Sequence, residues 1–196
     1  MKVLLLNGSR RESGCTYTAL SIAAKELNTA GIETEILHIG KRAVNGEIDT
    51  LVKEIIAKMK ESDGLIAGTP VYFAGPSGEI KAVLDRLFMT AEKDLRLKPA
   101  AAIASARRGG TTAALDVLNK YFTYCEMPVV SSRYWNIVHG FTPEDVMNDK
   151  EGVQIVEVLG RNMAWLLKSI EAGKQAGVKQ PEEVHKVFTH FINNDR

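Results

Sequence analysis

Residues 2–30 read KVLLL (2–6), NGSRRESGCT (7–16) and YTALSIAAKELNTA (17–30), and this stretch decides the fold. KVLLL is short and apolar after its lysine, which suits a buried strand rather than a helix. From Thr16 to Ala30, Leu20, Ala23, Ala24 and Leu27 recur at helical spacing, and Gly31 stops the pattern. Between them lies a loop of glycines, hydroxyls and two arginines. A loop joining a strand end to a helix start suits a bound anion, because the first helical amides lack acceptors and the helix end carries roughly half a positive charge. Ser9, Ser13 and Thr16 can donate hydroxyl protons, and one arginine can add a charge-assisted bond. A serine-rich turn capping the first helix, with two solvated arginines, is the competing reading of the loop alone.

The same alternation continues outward. IETEIL (32–37) reads as a second strand, and Ile48 to Lys60 as an amphipathic helix with Leu51, Val52, Ile55, Ile56 and Met59 on one face. GLIAGT (64–69) is a third, buried strand. Ser77 to Thr90 carries Ile80, Val83, Leu84, Leu87 and Phe88 in one stripe behind Pro76. PAAAIASA (99–106) is a strand of small residues, followed by a helix over about 111–121. MPVVSS (127–132) reads as the fifth strand. The loop RYWNIVHGFTPED (133–145) leads to a long helix over about 150–172, and the tail from Pro181 onward to a further short helix. No repeat or linker divides the chain. The expected division is a domain over 1–175 and a helical tail over 176–196.

Five strands alternating with five helices imply an α/β fold: a doubly wound, five-stranded parallel sheet of order 2-1-3-4-5 with helices on both faces. Ligands of such sheets bind beyond the strand carboxyl ends, where strands 1 and 3 part. That places three loops at one site: 7–16, 70–75 and 106–110.

Composition narrows the function. The chain has 196 residues, a formal net charge of +1 and 45% hydrophobic residues, so no bulk field selects nucleic acid, a membrane or an acidic partner. Its two cysteines, Cys15 and Cys125, form no CxxC and no metal-ligand spacing, so neither a disulfide framework nor a metal site is expected. Lys2 precedes only four apolar residues, which is no signal peptide, and no stretch approaches the ~20 apolar residues of a membrane span. The expected location is the cytoplasm.

The first loop fails several familiar phosphate patterns. Gly8 lacks the second glycine of the dinucleotide fingerprint, and no Gly-Lys-Ser/Thr occurs in the chain. Cys15 follows both arginines, which excludes a low-molecular-weight phosphatase loop. A receiver domain needs acidic residues where Asn7-Gly8 and Gly68-Thr69 stand. In the second loop, Thr69-Pro70-Val71-Tyr72-Phe73 leaves the third strand where a planar ring would lie, and its amides can meet a polar ring edge; a pair of core aromatics is the alternative. In the third, SARRGGTT (105–112), Gly109-Gly110 permits close backbone approach beside Arg107 and Arg108. A helix-start turn with exposed arginines is the plainer account.

Together these residues resemble the NADPH-dependent FMN reductase family of flavodoxin-like flavoproteins, close to the iron–sulfur flavoproteins. The motifs are GSRRESGCT, SDGLIAGTPVYFAGPSGEIKAVLDRL and SARRGGTTAAL, and the resemblance covers roughly residues 1–170. It implies that Ser9, Arg11, Ser13, Cys15 and Thr16 hold the FMN phosphate. It further implies that Pro70, Val71, Tyr72 and Phe73 run along the isoalloxazine. Ser105, Ala106, Arg107, Arg108, Gly109 and Gly110 match the loop near its pyrimidine side and ribityl chain. Arg10 stands where proline is common and Cys15 where asparagine is common. HIGKRAVNGEID (38–49) lacks the cysteine cluster that the iron–sulfur members carry after the second strand.

The resemblance thus implies an FMN-dependent oxidoreductase taking hydride from NADPH or NADH and reducing a small acceptor such as a quinone. A flavodoxin-type electron carrier is the alternative, against which the net charge of +1 speaks. No side chain is expected to act as an obligatory acid or base. Cys15 is expected to pack inertly, and His139 either approaches the flavin or is a satisfied loop histidine. Tyr134 and Trp135 are candidates for closing the site or for a subunit contact, since relatives are usually dimers or tetramers.

Overall fold

The computed structural model describes residues 1–189. In chain order the elements are β1 (Lys2–Asn7), α1 (Cys15–Thr29), β2 (Glu33–His38), α2 (Gly40–Val44), α3 (Ile48–Lys60), β3 (Gly64–Tyr72) and β4 (Gly75–Pro76). Then come α4 (Gly78–Thr90), α5 (Glu92–Leu95), β5 (Ala100–Ala106), α6 (Thr111–Tyr124), β6 (Ile137–His139), α7 (Pro143–Asn148) and α8 (Lys150–Gln175). The five parallel strands lie in the order β2-β1-β3-β5-β6, and β4 folds back antiparallel on the end of β3. This is the expected doubly wound sheet.

The period-2 alternation of the strands sorts side chains into two cores. Leu4, Leu6, Leu65, Ala67, Ala102 and Ala104 face α3, α4 and α6, packing with Leu51, Ile55, Leu84, Leu87, Leu118 and Phe122. Val3, Leu5, Ile66, Ala101 and Ile103 face the other way, onto Leu20 and Leu27 of α1 and Leu159 and Met163 of α8. Both faces being covered explains why KVLLL and GLIAGT read as unbroken apolar runs.

The fifth strand is the main correction. Residues 127–132 do not form it; they make a single parallel bridge, Ala100 to Val129. The edge strand is instead β6, at Ile137–His139, paired with Ala104–Ala106 of β5. Pro128 has no N–H to give a ladder, and Ser132 turns its hydroxyl onto the Ile155 carbonyl of α8 at 2.6 Å. The chain then leaves the sheet, and the Asn136 side chain holds the Ala102 carbonyl at 3.0 Å before pairing resumes.

Short helices also break up the expected loops. The loop after β6 contains α7, started by a capping box in which Thr142 and Asp145 satisfy each other's backbone amides. The helix expected from Pro181 does not form over the described part of the tail, where residues 178–189 are irregular; residues 190–196 lie outside the described residues. Val184, Val187 and Phe188 are exposed there, and so short a segment gains little helical stability without a buried face. Among the described residues no helix is long and apolar enough to cross a membrane.

Candidate functional site

At the carboxyl end of the sheet, between β1 and β3, a cleft of about 240 Å³ is lined by residues of four loops. Ser9, Arg11, Cys15 and Thr16 come from the turn between β1 and α1. Pro70, Val71 and Tyr72 come from the end of β3, Ser105, Ala106 and Arg107 from the end of β5, and Gly140 and Phe141 from the turn after β6. No carboxylate lines it.

The first loop is fixed by its own polar groups. Asn7 takes the Ser9 amide on its side-chain oxygen (3.1 Å) and donates to the Glu12 carbonyl (3.0 Å). The Ser9 hydroxyl accepts the Arg11 amide at 3.1 Å. Gly14 is the N-cap of α1 and contributes no side-chain cap, so the first amides of the helix keep their donors free of intrahelical acceptors. An uncapped helix start beside Arg11 and hydroxyls, with no carboxylate lining the cleft, fits the chemistry of a phosphate group.

The strand ends are tied together. The buried Thr16 and Ser105 hydroxyls meet at 2.8 Å, joining the start of α1 to the end of β5. The Thr69 hydroxyl accepts the Ser77 amide at 2.9 Å, which closes the 70–76 turn. Within that turn Phe73 and Ala74 have φ of 49° and 59°, left-handed values that aim Phe73 wholly into solvent. Gly110 meets the same turn from the other side, with φ +95°; a Cβ there would lie 2.7 Å from the Ala74 Cα. Glycine is therefore required at this approach.

Ten of the fifteen residues expected at the site line this cleft. Ser13 is exposed outside it, and Phe73 points away. Arg108 and Gly109 are exposed beyond Arg107, and Gly110 supports the 70–76 turn from behind. Gly140 and Phe141 are not among the residues expected from the sequence, although both lie in the WNIVHGF motif, from which His139 is singled out instead. His139 faces Asp149, with its Nδ1 at 3.7 Å from that carboxylate, and lines a separate depression with Tyr134. Cys15 donates its thiol to the Gly140 carbonyl at 3.6 Å. Burial pushes this thiol up, against the lowering effects of a backbone amide and Arg11, so the group is a protonated thiol rather than a nucleophilic thiolate. Tyr134 and Trp135 lie with ring centroids 4.7 Å apart and are both exposed.

Comparisons with known proteins bear on the family and the fold. The sequence pattern of the family described as NADPH-dependent FMN reductase matches residues 1–142. An iron–sulfur flavoprotein of Methanocaldococcus jannaschii is 30% identical over 87% of this chain and 100% of its own length. The FMN reductase (NADPH) of Escherichia coli is 32% identical over 74% of each chain. Among solved structures, RosB with a bound formylated riboflavin-5′-phosphate intermediate superposes with a TM-score of 0.69 at 16% identity, over 99% of this chain and 93% of its own. A flavodoxin from the domain Archaea gives a TM-score of 0.63 at 14% identity, over 86% and 99%. At such identities the two structures speak for the fold alone. Among the described residues no group of three or more His, Cys, Asp or Glu is placed to hold a metal ion.

Proposed function

This chain belongs to the NADPH-dependent FMN reductase family, an FMN-dependent oxidoreductase, and from that premise we propose that its cleft holds FMN and that it passes electrons from NADPH, or NADH, to a small acceptor such as a quinone. The observation that carries the reading is the convergence of four strand-end loops on one cleft that begins at an uncapped helix. The uncapped start of α1, Ser9 and Arg11 receive the phosphate. Pro70, Val71 and Tyr72 would lie along the ring, and the 105–110 loop would meet its pyrimidine side. Bound FMN supplies a hydride-accepting N5, with negative charge developing toward N1 and the C2 oxygen.

The chain's own groups hold and polarise the cofactor. Arg107, which lines the cleft, and the amides of the 106–110 loop would stabilise the charge developing at that edge of a bound FMN. Arg108, exposed and outside the cleft, is free to grip a phosphate of the nicotinamide cofactor. Thr16 lines the cleft and ties it to the end of β5 through its hydroxyl bond to Ser105. No side chain is assigned as an acid or base.

Two cysteines, one in the cleft and one buried at the end of α6, cannot supply the thiolate set of an iron–sulfur cluster. We therefore assign a cluster-free flavoprotein, with residues 1–175 as the FMN-binding domain. Phe141 at the cleft and the exposed Phe73, Tyr134 and Trp135 elsewhere on the surface suit a homodimer or homotetramer in which a neighbour completes the site. Anaerobic titration is the test: FMN bands should bleach on addition of NADPH or NADH and recover with a quinone. FMN that binds tightly but resists both nicotinamides would refute the reductase and favour the electron carrier. Iron and acid-labile sulfide should be absent from protein purified without oxygen, and about four irons per chain would overturn the cluster-free assignment.

A further inference from the structure

Two adjacent arginines in the first loop have opposite fates. Arg11 lines the cleft. Arg10 turns away and pairs through its Nε with Glu79, the second residue of α4. The Glu79 side chain is only 8% exposed, whereas Arg10's is 64% exposed. Burial pushes the Glu79 carboxyl up, but the Arg10 guanidinium, a backbone amide and the Ser77 hydroxyl together hold it below the usual carboxylate range. A carboxylate this buried depends on its partner, and removing one member of such a pair strands the other.

The start of α4 grips the loop twice. Ser77, its N-cap, donates its hydroxyl to the Gly8 carbonyl at 2.9 Å, and Glu79 takes the Arg10 side chain. Ser9 is held between these two anchors. Its carbonyl meets His38 Nε2 at 2.7 Å, and Gly40 packs so closely on that carbonyl that a Cβ would overlap it. The Ser9 hydroxyl in turn accepts the Arg11 amide. Fixing Arg10 therefore fixes where Arg11 begins.

We propose that Arg10 and Glu79 form a positioning latch that holds the 7–16 loop in its phosphate-receiving shape, leaving Arg11 as the arginine that meets the phosphate. The proposal rests on the FMN reading above. Neither latch residue touches the cofactor. Both act through Ser9 and Arg11.

The test measures FMN and riboflavin affinities side by side, by flavin fluorescence, for Arg10→Met, Glu79→Gln and the double variant. Riboflavin has the ring without the phosphate, so the ratio of the two affinities reports the phosphate site. Each single variant should lower the preference for FMN by about tenfold, as expected when a charge-assisted bond loosens. The double variant should recover part of the loss, because no stranded charge remains. Arg10→Lys should keep more of the preference than Arg10→Met, and the phosphorus NMR resonance of bound FMN should move in Glu79→Gln. Should Glu79→Gln not fold, Glu79→Asp draws the carboxylate back from Arg10 and gives the same readout. A loss in Arg10→Met with none in Glu79→Gln would mean that Arg10 itself contacts the phosphate, which overturns the latch. A wild-type protein without any FMN preference would refute the phosphate site and the latch together. A preference untouched by either substitution refutes the latch alone.

Discussion

Arg11 and Thr16 look alike in the sequence as phosphate ligands, yet the structure gives them different work, and two substitutions should separate them. The exposed Arg11 guanidinium lines the cleft and forms no ion pair among the described residues. Arg11→Ala should leave the melting temperature within about 2 °C of wild type, as for most surface changes. FMN affinity should fall roughly tenfold to a hundredfold through loss of a charge-assisted bond, and riboflavin affinity should hold. Thr16 is 1% exposed, with its hydroxyl 2.8 Å from Ser105. Thr16→Val keeps the shape but leaves the Ser105 hydroxyl only the Thr69 carbonyl, at 3.5 Å. An under-satisfied buried hydroxyl costs about 1–3 kcal/mol. For a chain of this size that is about 2–4 °C in melting temperature per kcal/mol. FMN and riboflavin should weaken together, and by less than FMN does in Arg11→Ala. Thermal denaturation of the apoprotein and parallel flavin titrations provide the readings. If Arg11→Ala weakens riboflavin as much as FMN, the loop does not hold a phosphate. If Thr16→Val is as stable as wild type and selectively loses FMN, Thr16 is a ligand rather than a strut.

Three further outcomes follow from single positions. Gly110→Ala forces a side chain onto φ +95° and into the Ala74 backbone, so it should cost about 1–2 kcal/mol of stability and weaken FMN and riboflavin equally; a selective loss of FMN would contradict the placement of this turn behind the ring. Cys15 should react slowly with iodoacetamide at neutral pH, because burial raises its thiol, and saturating FMN should slow it further; unaltered alkylation with FMN bound would place the cofactor elsewhere. Burial pushes the Cys125 thiol from 9.0 up to about 11, and its folded value thus lies above its unfolded one. Stability from this group is present below about pH 9 and is lost as pH rises toward about 11, by at most about 3 kcal/mol. Cys125→Ala should flatten that alkaline slope in chemical denaturation, and an unchanged slope would mean the thiol is not buried in the folded state.

The sequence by itself determined the fold class, because its evidence is local and periodic. KVLLL and GLIAGT are strands buried on both faces, and α1, α3, α4, α6 and α8 carry stripes at helical spacing, so these elements appear close to where the pattern puts them. The three loops on one rim follow from topology once the strand order is known. What failed was the edge. MPVVSS has the composition of a strand, but whether it pairs depends on Pro128, on the pull of α8 on Ser132 and on the open edge of β5, none of which local propensity records. The short tail from Pro181 likewise carries too little buried surface for propensity to decide its form.

Within the site, sequence supplied the residue types and tertiary structure assigned their work. Arg10 and Arg11 are indistinguishable as neighbours in a loop; a buried carboxylate 69 residues away takes one and leaves the other to the cleft. Thr16 is committed to Ser105, 89 residues on, and Gly140 enters the cleft only because β6 ends beside β5. Side-chain direction in a loop is set by long-range partners and by steric limits such as Gly40 against Ser9, and these exist only once the strands have brought the loops together.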